Sequence, residues 1–186
     1  IDIEIINGNE EAKIIALTDL KKYLLHDKTF IYVDVGGGST ELTIYSKGKS
    51  VLSKSFKIGT VRLINELVPD SIWNQMKLWI KEHTKKYNQI TLLGTGGNIN
   101  SIYKFSGTKL GKPLSYHYLK KYFRTVESFS YEERISKLNM NLDRADVILP
   151  ALNIYISAMK WSGAKEIYVP KIGLSDGIIR SLYQNK

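Results

Sequence analysis

The run Ile31-Tyr32-Val33-Asp34-Val35-Gly36-Gly37-Gly38-Ser39-Thr40-Glu41 carries the residue types that bind phosphate. An apolar segment delivers an aspartate to three glycines and two hydroxyls. Glycines lack Cβ, so consecutive backbone N–H groups can turn into one small concavity that suits oxyanions. An aspartate at the mouth of such a nest can hold Mg²⁺ through water. The chain is therefore expected to handle phosphates, with Asp34 beside the metal and Gly36, Gly37 and Gly38 as the cradle.

The loop lies between two predicted strands, so it is neither a Walker A motif nor a Rossmann fingerprint, both of which open a helix. A strand–turn–strand glycine loop led by Asp suits the phosphate hairpin of actin-like ATPases. A plain hairpin turn would need fewer special residues than three glycines followed by Ser39 and Thr40. A second loop, Gly94-Thr95-Gly96-Gly97, follows a strand and opens a helix. Its N–H groups and the helix dipole can meet another anionic group. By itself such a turn is common; paired with the first loop it predicts one cleft bounded by both.

Other charged positions have plainer local readings. Glu10 and Glu11 sit in a predicted first helical turn, where dipole stabilisation of about 0.3–1 kcal/mol accounts for them. Asp143-Arg144 and Asp176 read the same way, Ser175 as a helix cap, and Arg62 as an exposed helix arginine.

The elements that must position these residues follow from periodicity. A half-buried strand is expected over Ile1–Ile5 and a helix over Glu10–Leu25, entered through Asn7-Gly8 and capped by Asn9. Three strands joined by short turns follow, over Thr29–Val35, Glu41–Tyr45 and Ser50–Lys57. Gly59-Thr60 opens a helix over Val61–Leu67; Pro69-Asp70-Ser71 restarts it to about Tyr87. Gln89–Leu93 reads as a strand, Asn98–Phe105 as a helix, and two short helices are expected over Tyr116–Val126 and Tyr131–Leu138. A long apolar helix over Ala145–Trp161 should be kinked by Pro150. A last strand, Glu166–Val169, and a last helix to about Tyr183 close the chain. Hairpin-linked strands followed by alternating helices and strands predict an α/β fold, a mixed sheet with helices on both faces in the ribonuclease H-like layout.

Composition bounds the function. With 186 residues, 43% of them hydrophobic, the chain can bury a core as one domain. No run of about 18 apolar residues occurs, which argues against a membrane-spanning helix. Nothing resembles a signal peptide. Cys is absent, excluding disulfides and thiol catalysis and suiting a cytoplasmic location. His26, His83 and His117 stand far apart, so a zinc site is not expected. The net charge of +9 is mostly Lys, spread over Lys47–Lys57, Lys81–Lys86 and Lys104–Arg124. It reads first as a solvated surface and second as attraction for a polyanion; no specific nucleic-acid motif accompanies it. The chain begins at Ile1 inside a predicted buried strand, which suggests a fragment lacking its N-terminal part.

Several segments, in order along nearly the whole chain, resemble the exopolyphosphatase/guanosine pentaphosphate phosphohydrolase (Ppx/GppA) family of the actin–sugar kinase superfamily. They are Ile3–Ala12, like its EIISGxEEA stretch; Asp34–Glu41, like its DxGGGSTE signature; Ile58–Leu63, like GxVRL; and Gly94–Gly97, like GTGG. Arg144–Ile148 and Gly173–Gly177 are similar to its RADxI and GLxxG segments. DxGGGSTE is the specific motif among these. The resemblance implies that Glu11 is the general base, that Asp34 and Glu41 arrange Mg²⁺ or water, and that Gly36–Thr40 line the phosphate loop. Gly96 and Gly97 would meet a second phosphate group. Family members also carry an N-terminal lobe with its own phosphate hairpin, of which this chain has no counterpart. Residues 1–186 thus read as the second, actin-like lobe of a two-lobe enzyme, holding half of the catalytic cleft.

The expected parent activity is Mg²⁺-dependent hydrolysis of the terminal phosphoanhydride of polyphosphate or guanosine pentaphosphate, slow in the isolated lobe. Its partners would be that substrate, the missing lobe and, as is common for such enzymes, a second copy in a homodimer. Two other readings stay open: a sugar-kinase-like or chaperone-like ATP-binding lobe, and a non-catalytic polyanion-binding module.

Overall fold

The computed structural model of the chain describes residues 28–170 together with Ile179, Leu182 and Tyr183. Its centre is β1 (Thr29–Val35), apolar on both faces, as a strand covered on two sides must be. β2 (Thr40–Ser46) pairs antiparallel with β1 through the glycine turn. β3 (Lys49–Phe56) pairs antiparallel with β2 through Lys47 and Gly48, both at positive φ as a two-residue hairpin turn requires. On its other side β1 pairs parallel with β4 (Ile90–Thr95). β6 (Glu166–Tyr168) is parallel to β4, and the two-residue β5 (Leu114–Ser115) is antiparallel to β6. Among the described residues the sheet has six strands in the order β3-β2-β1-β4-β6-β5, the mixed ribonuclease H-like arrangement expected.

Strand periodicity sorts the side chains. Ile31, Val33 and Val35 of β1, Leu42 and Ile44 of β2 and Leu92 of β4 share one face and belong to the main core. Phe30, Tyr32, Tyr45 and Leu93 share the other face, with Tyr168 against them. The long described helices pack on the first face. They are α2 (Asp70–Thr84), α3 (Gly97–Phe105), α4 (Tyr116–Glu127) and α7 (Ile148–Ser162), each supplying buried residues to that core. Each fully buried Leu or Ile contributes roughly 1.5–3 kcal/mol. Edge-to-face rings tie the sheet to α2 through Phe56 and Trp79 at 5.8 Å, and α2 to α7 through Trp73 and Trp161 at 5.9 Å. Three short helices, α1 (Thr60–Ile64), α5 (Tyr131–Ser136) and α6 (Leu142–Ala145), fill the connections.

Most expected elements appear within two residues of their predicted bounds. Two differ for physical reasons. The helix expected over Ala145–Trp161 is α7, which starts only at Ile148, after the separate short helix α6 has ended at Ala145, and Pro150 falls in the first turn of α7. A first-turn proline lacks an N–H that has no intrahelical acceptor anyway, so no kink is required. β4 runs on through Gly94 and Thr95, which places both inside the strand rather than in the following turn. The expected strand over Ile1–Ile5 and helix over Glu10–Leu25 lie outside the described residues, as does most of the expected last helix.

Candidate functional site

The glycine turn between β1 and β2 is exposed at Gly36, Gly37 and Gly38 and half-buried at Ser39. The Gly36 N–H donates to the Ser39 carbonyl at 3.0 Å, closing the turn. The loop carbonyls point toward α1. Gly36 O accepts from the Thr60 N–H at 3.0 Å, and Gly37 O accepts from Val61 and Arg62 at 3.0 and 3.3 Å. Gly38 O accepts from Arg62 Nε at 2.8 Å. These carbonyls satisfy the first N–H groups of α1, which a helix cannot satisfy itself. Gly59 enters α1 flush against the loop: a Cβ there would come 2.3 Å from Gly37 O and 2.5 Å from Gly38 C. Among the described residues the N–H groups of Gly37, Gly38 and Ser39 make no backbone hydrogen bond. With carbonyls committed to one side, the exposed loop offers its amides to an anion.

Next to this loop stand two carboxylates. Asp34 and Glu41 are direct cross-strand partners, so their side chains share one face of the sheet. Burial raises the Asp34 pKa and Glu41 raises it further, while hydrogen bonds from Thr95 and the Val35 backbone counter part of the rise. Glu41 Oε1 accepts from Ser39 Oγ at 2.6 Å and from Ser55 Oγ at 3.0 Å. The Ser39 hydroxyl proton is thus directed at Glu41. Thr40 is fully buried, and its hydroxyl donates to the Ile58 carbonyl at 2.6 Å. That side chain locks the hairpin to the residues entering α1 and is turned away from the exposed loop.

The second loop lies beside the first because β1 and β4 are parallel neighbours and both motifs end them on the same sheet edge. Asp34 pairs with Thr95, and Gly96 follows at φ +106°. A Cβ on Gly96 would approach Val35 O to 3.1 Å and Asp34 Oδ1 to 3.3 Å, so glycine here keeps the conformation and the room for the carboxylate. Gly97 opens α3 beneath Arg144, whose Nη2 lies 2.7 Å from where a Cβ would be. The Arg144 side chain is 35% exposed and lies 3.5 Å from Asp143. Tyr155, fully buried in α7, donates its hydroxyl to the Thr95 carbonyl. Burial, then Asp34 and Tyr32, hold its pKa well above the ordinary tyrosine range, so it stays a proton donor.

Of the residues expected at a site, the fold brings together Asp34, Gly36, Gly37, Gly38, Ser39, Glu41, Gly96 and Gly97. Glu11 lies outside the described residues, as do Glu10 and Gly173–Gly177. Among the described residues no group of three or more His, Cys, Asp or Glu could enclose a metal. A pair of carboxylates at an open edge fits Mg²⁺, which keeps much of its water and takes oxygen from one or two carboxylates. It does not fit zinc, which wants a fuller set of nitrogen or sulfur ligands. The clamping role of Arg62 and the anchoring roles of Gly59, Tyr155 and Ser55 come from contacts distant in sequence. Gly59 alone gave a local signal, as a glycine just ahead of a helix.

The profile of the Ppx/GppA phosphatase family matches residues 1–186. A Haemophilus influenzae protein named as a candidate exopolyphosphatase is 24% identical over 198 residues, covering 98% of this chain and 61% of its own length. The fold matches the crystal structure of an exopolyphosphatase from Cytophaga hutchinsonii with a TM-score of 0.78 at 21% identity, over 100% of this chain and 66% of that one. It matches an Aquifex aeolicus member of the same family with a TM-score of 0.75 at 23% identity, over 100% of this chain and 65% of that one. The chain therefore spans less than two thirds of the length of these relatives. Among the described residues, no helix is long and apolar enough to cross a membrane.

Proposed function

Because this chain belongs to the Ppx/GppA phosphatase family, we propose that it is the second, actin-like lobe of a cytoplasmic phosphohydrolase that removes the terminal phosphate from polyphosphate or guanosine pentaphosphate in the presence of Mg²⁺. The observation that carries this reading is the orientation of the glycine loop: carbonyls tied to α1, amides of Gly37, Gly38 and Ser39 without a backbone hydrogen bond among the described residues, and two carboxylates directly alongside.

In this reading the amides of Gly37, Gly38 and Ser39 hold the oxygens of the terminal phosphoryl group. Gly96 and Gly97 open α3 toward the next phosphate, where the helix dipole and Arg144 add positive potential. Asp34 and Glu41 would hold Mg²⁺, and the ion, when bound, would supply positive charge to the phosphoryl oxygens. Glu11 accepts a proton from the attacking water as its oxygen bonds to phosphorus. The bridging P–O bond breaks, and its electron pair stays on the oxygen of the shortened chain. A second lobe supplies the opposite wall of the cleft and restricts water there.

The test is phosphate release by the full-length protein on long-chain polyphosphate and on guanosine pentaphosphate, with Mg²⁺ and with chelator. The expected result is Mg²⁺-dependent release from at least one substrate, reduced on the order of 10²–10⁴-fold by Glu11→Ala as for loss of a general base. Undiminished turnover by Glu11→Ala would remove Glu11 from the role given to it. No release from either substrate would overturn the activity.

A further inference from the structure

We propose that Ser55, on the exposed strand β3 at the edge of the sheet among the described residues, is a positioning residue that aims Glu41 at the cation site; the inference rests on the phosphohydrolase reading above. The register carries it. Ser55 pairs with Glu41, Glu41 with Asp34, and Asp34 with Thr95, so four adjacent strands present one continuous polar row at the mouth of the glycine loop. The neighbouring row on that face is mixed, running Ser53, Thr43, Tyr32, Leu93.

Within the polar row, Ser55 Oγ donates to Glu41 Oε1 at 3.0 Å and Ser39 Oγ donates to the same oxygen at 2.6 Å. Two donors on one oxygen fix the carboxylate's rotamer and leave Oε2 as the oxygen for a cation or its water. The two serines differ in what holds them. Ser39 belongs to the exposed turn that receives the phosphate, whereas Ser55 lies in a paired strand and keeps its place when the turn adjusts. Ser55 is exposed, so core packing does not account for a serine there.

Groups that orient metal-associated carboxylates change metal affinity or activity by about 10–100-fold when removed. The experiment compares Ser55→Ala, Ser55→Thr and Ser53→Ala in the full-length protein. Ser53 sits two residues away on the same strand and face and bonds Thr43 at 2.8 Å, so its variant reports damage to the edge strand alone. Two readouts are taken: kcat and KM for polyphosphate, and Mn²⁺ affinity without substrate by electron paramagnetic resonance. Ser55→Ala should lower kcat about 10-fold with KM within about twofold, and should weaken Mn²⁺ binding by a similar factor. Ser55→Thr should recover most of both, and Ser53→Ala should leave both at the wild-type level. Wild-type kcat and Mn²⁺ affinity in Ser55→Ala would overturn the inference, as would equal losses in Ser53→Ala. A wild-type protein that releases no phosphate yet loses Mn²⁺ affinity on Ser55→Ala would overturn the activity and leave the positioning role standing.

Discussion

Asp34 stands where a carboxylate is least comfortable: largely buried, opposite Glu41, with one compensating hydrogen bond from Thr95 and one from the Val35 backbone. Burial and the facing carboxylate raise its folded-state pKa above the unfolded value of about 3.9. A raised carboxylate binds its proton more tightly when folded, so ionisation costs stability. That cost is absent below the unfolded pKa, develops as pH rises through the folded pKa, and is complete above it. Asp34→Asn should therefore be more stable than wild type at neutral pH without divalent metal. On the scale of a like-charged cross-strand pair, the gain is roughly 0.2–1 kcal/mol. Denaturant titrations at acid and neutral pH in chelator check this; a gain that does not shrink on acidification contradicts it. The same variant should lose phosphate release, the pattern expected where function needs a strained charge.

At the scale of elements, α1 is the splint of the glycine loop. Its first three N–H groups and the Arg62 side chain take the loop's three glycine carbonyls. Gly59 makes that approach possible, because any Cβ would strike loop backbone rather than a movable side chain. Gly59→Ala must push the loop by about 1 Å, and displacement of that size at a reacting group costs on the order of 10²-fold in rate. It should also lose about 1–3 kcal/mol from overpacking. Gly38→Ala is the contrast: a Cβ there meets nothing within 4 Å, so stability should stay within about 0.5 kcal/mol of wild type. Thermal unfolding and steady-state kinetics on the two variants separate the splint from the turn it holds.

For the whole molecule, the described site is open and one-sided. The glycine loop is solvent-exposed, and the carboxylate row ends on an edge strand whose residues are exposed up to Phe56. Relatives of the family are about one and a half times as long as this chain. If a second lobe completes the cleft, residues 1–186 alone should still bind Mn²⁺ at the carboxylate pair. They should hydrolyse polyphosphate about 10²-fold or more slowly than the full-length protein, since water and phosphate are no longer held in line. Equal rates for the two would contradict the two-lobe picture.

Local chemistry is what made the glycine turn legible. Asp34, three glycines, Ser39 and Thr40 are adjacent in sequence, and the near-continuous apolar run in Thr29–Val35 marks the buried strand that delivers them. Hairpin-linked strands followed by alternating helices were enough to predict the mixed sheet, and two Gly motifs at strand ends were enough to pair them at one edge. Pro150 misled because a kink and a first-turn proline look alike until the helix start is known. The serine hydroxyls also needed the fold: Ser39 and Ser55 converge on Glu41, and Thr40 turns inward to Ile58. Arg62 and Tyr155 reach the loops from 24 and 60 residues away. Sequence periodicity determines which face a side chain takes. Only the register between strands and the docking of helices decide which atoms from distant segments come within hydrogen-bonding reach, because a few tenths of an ångström separate a bond from none.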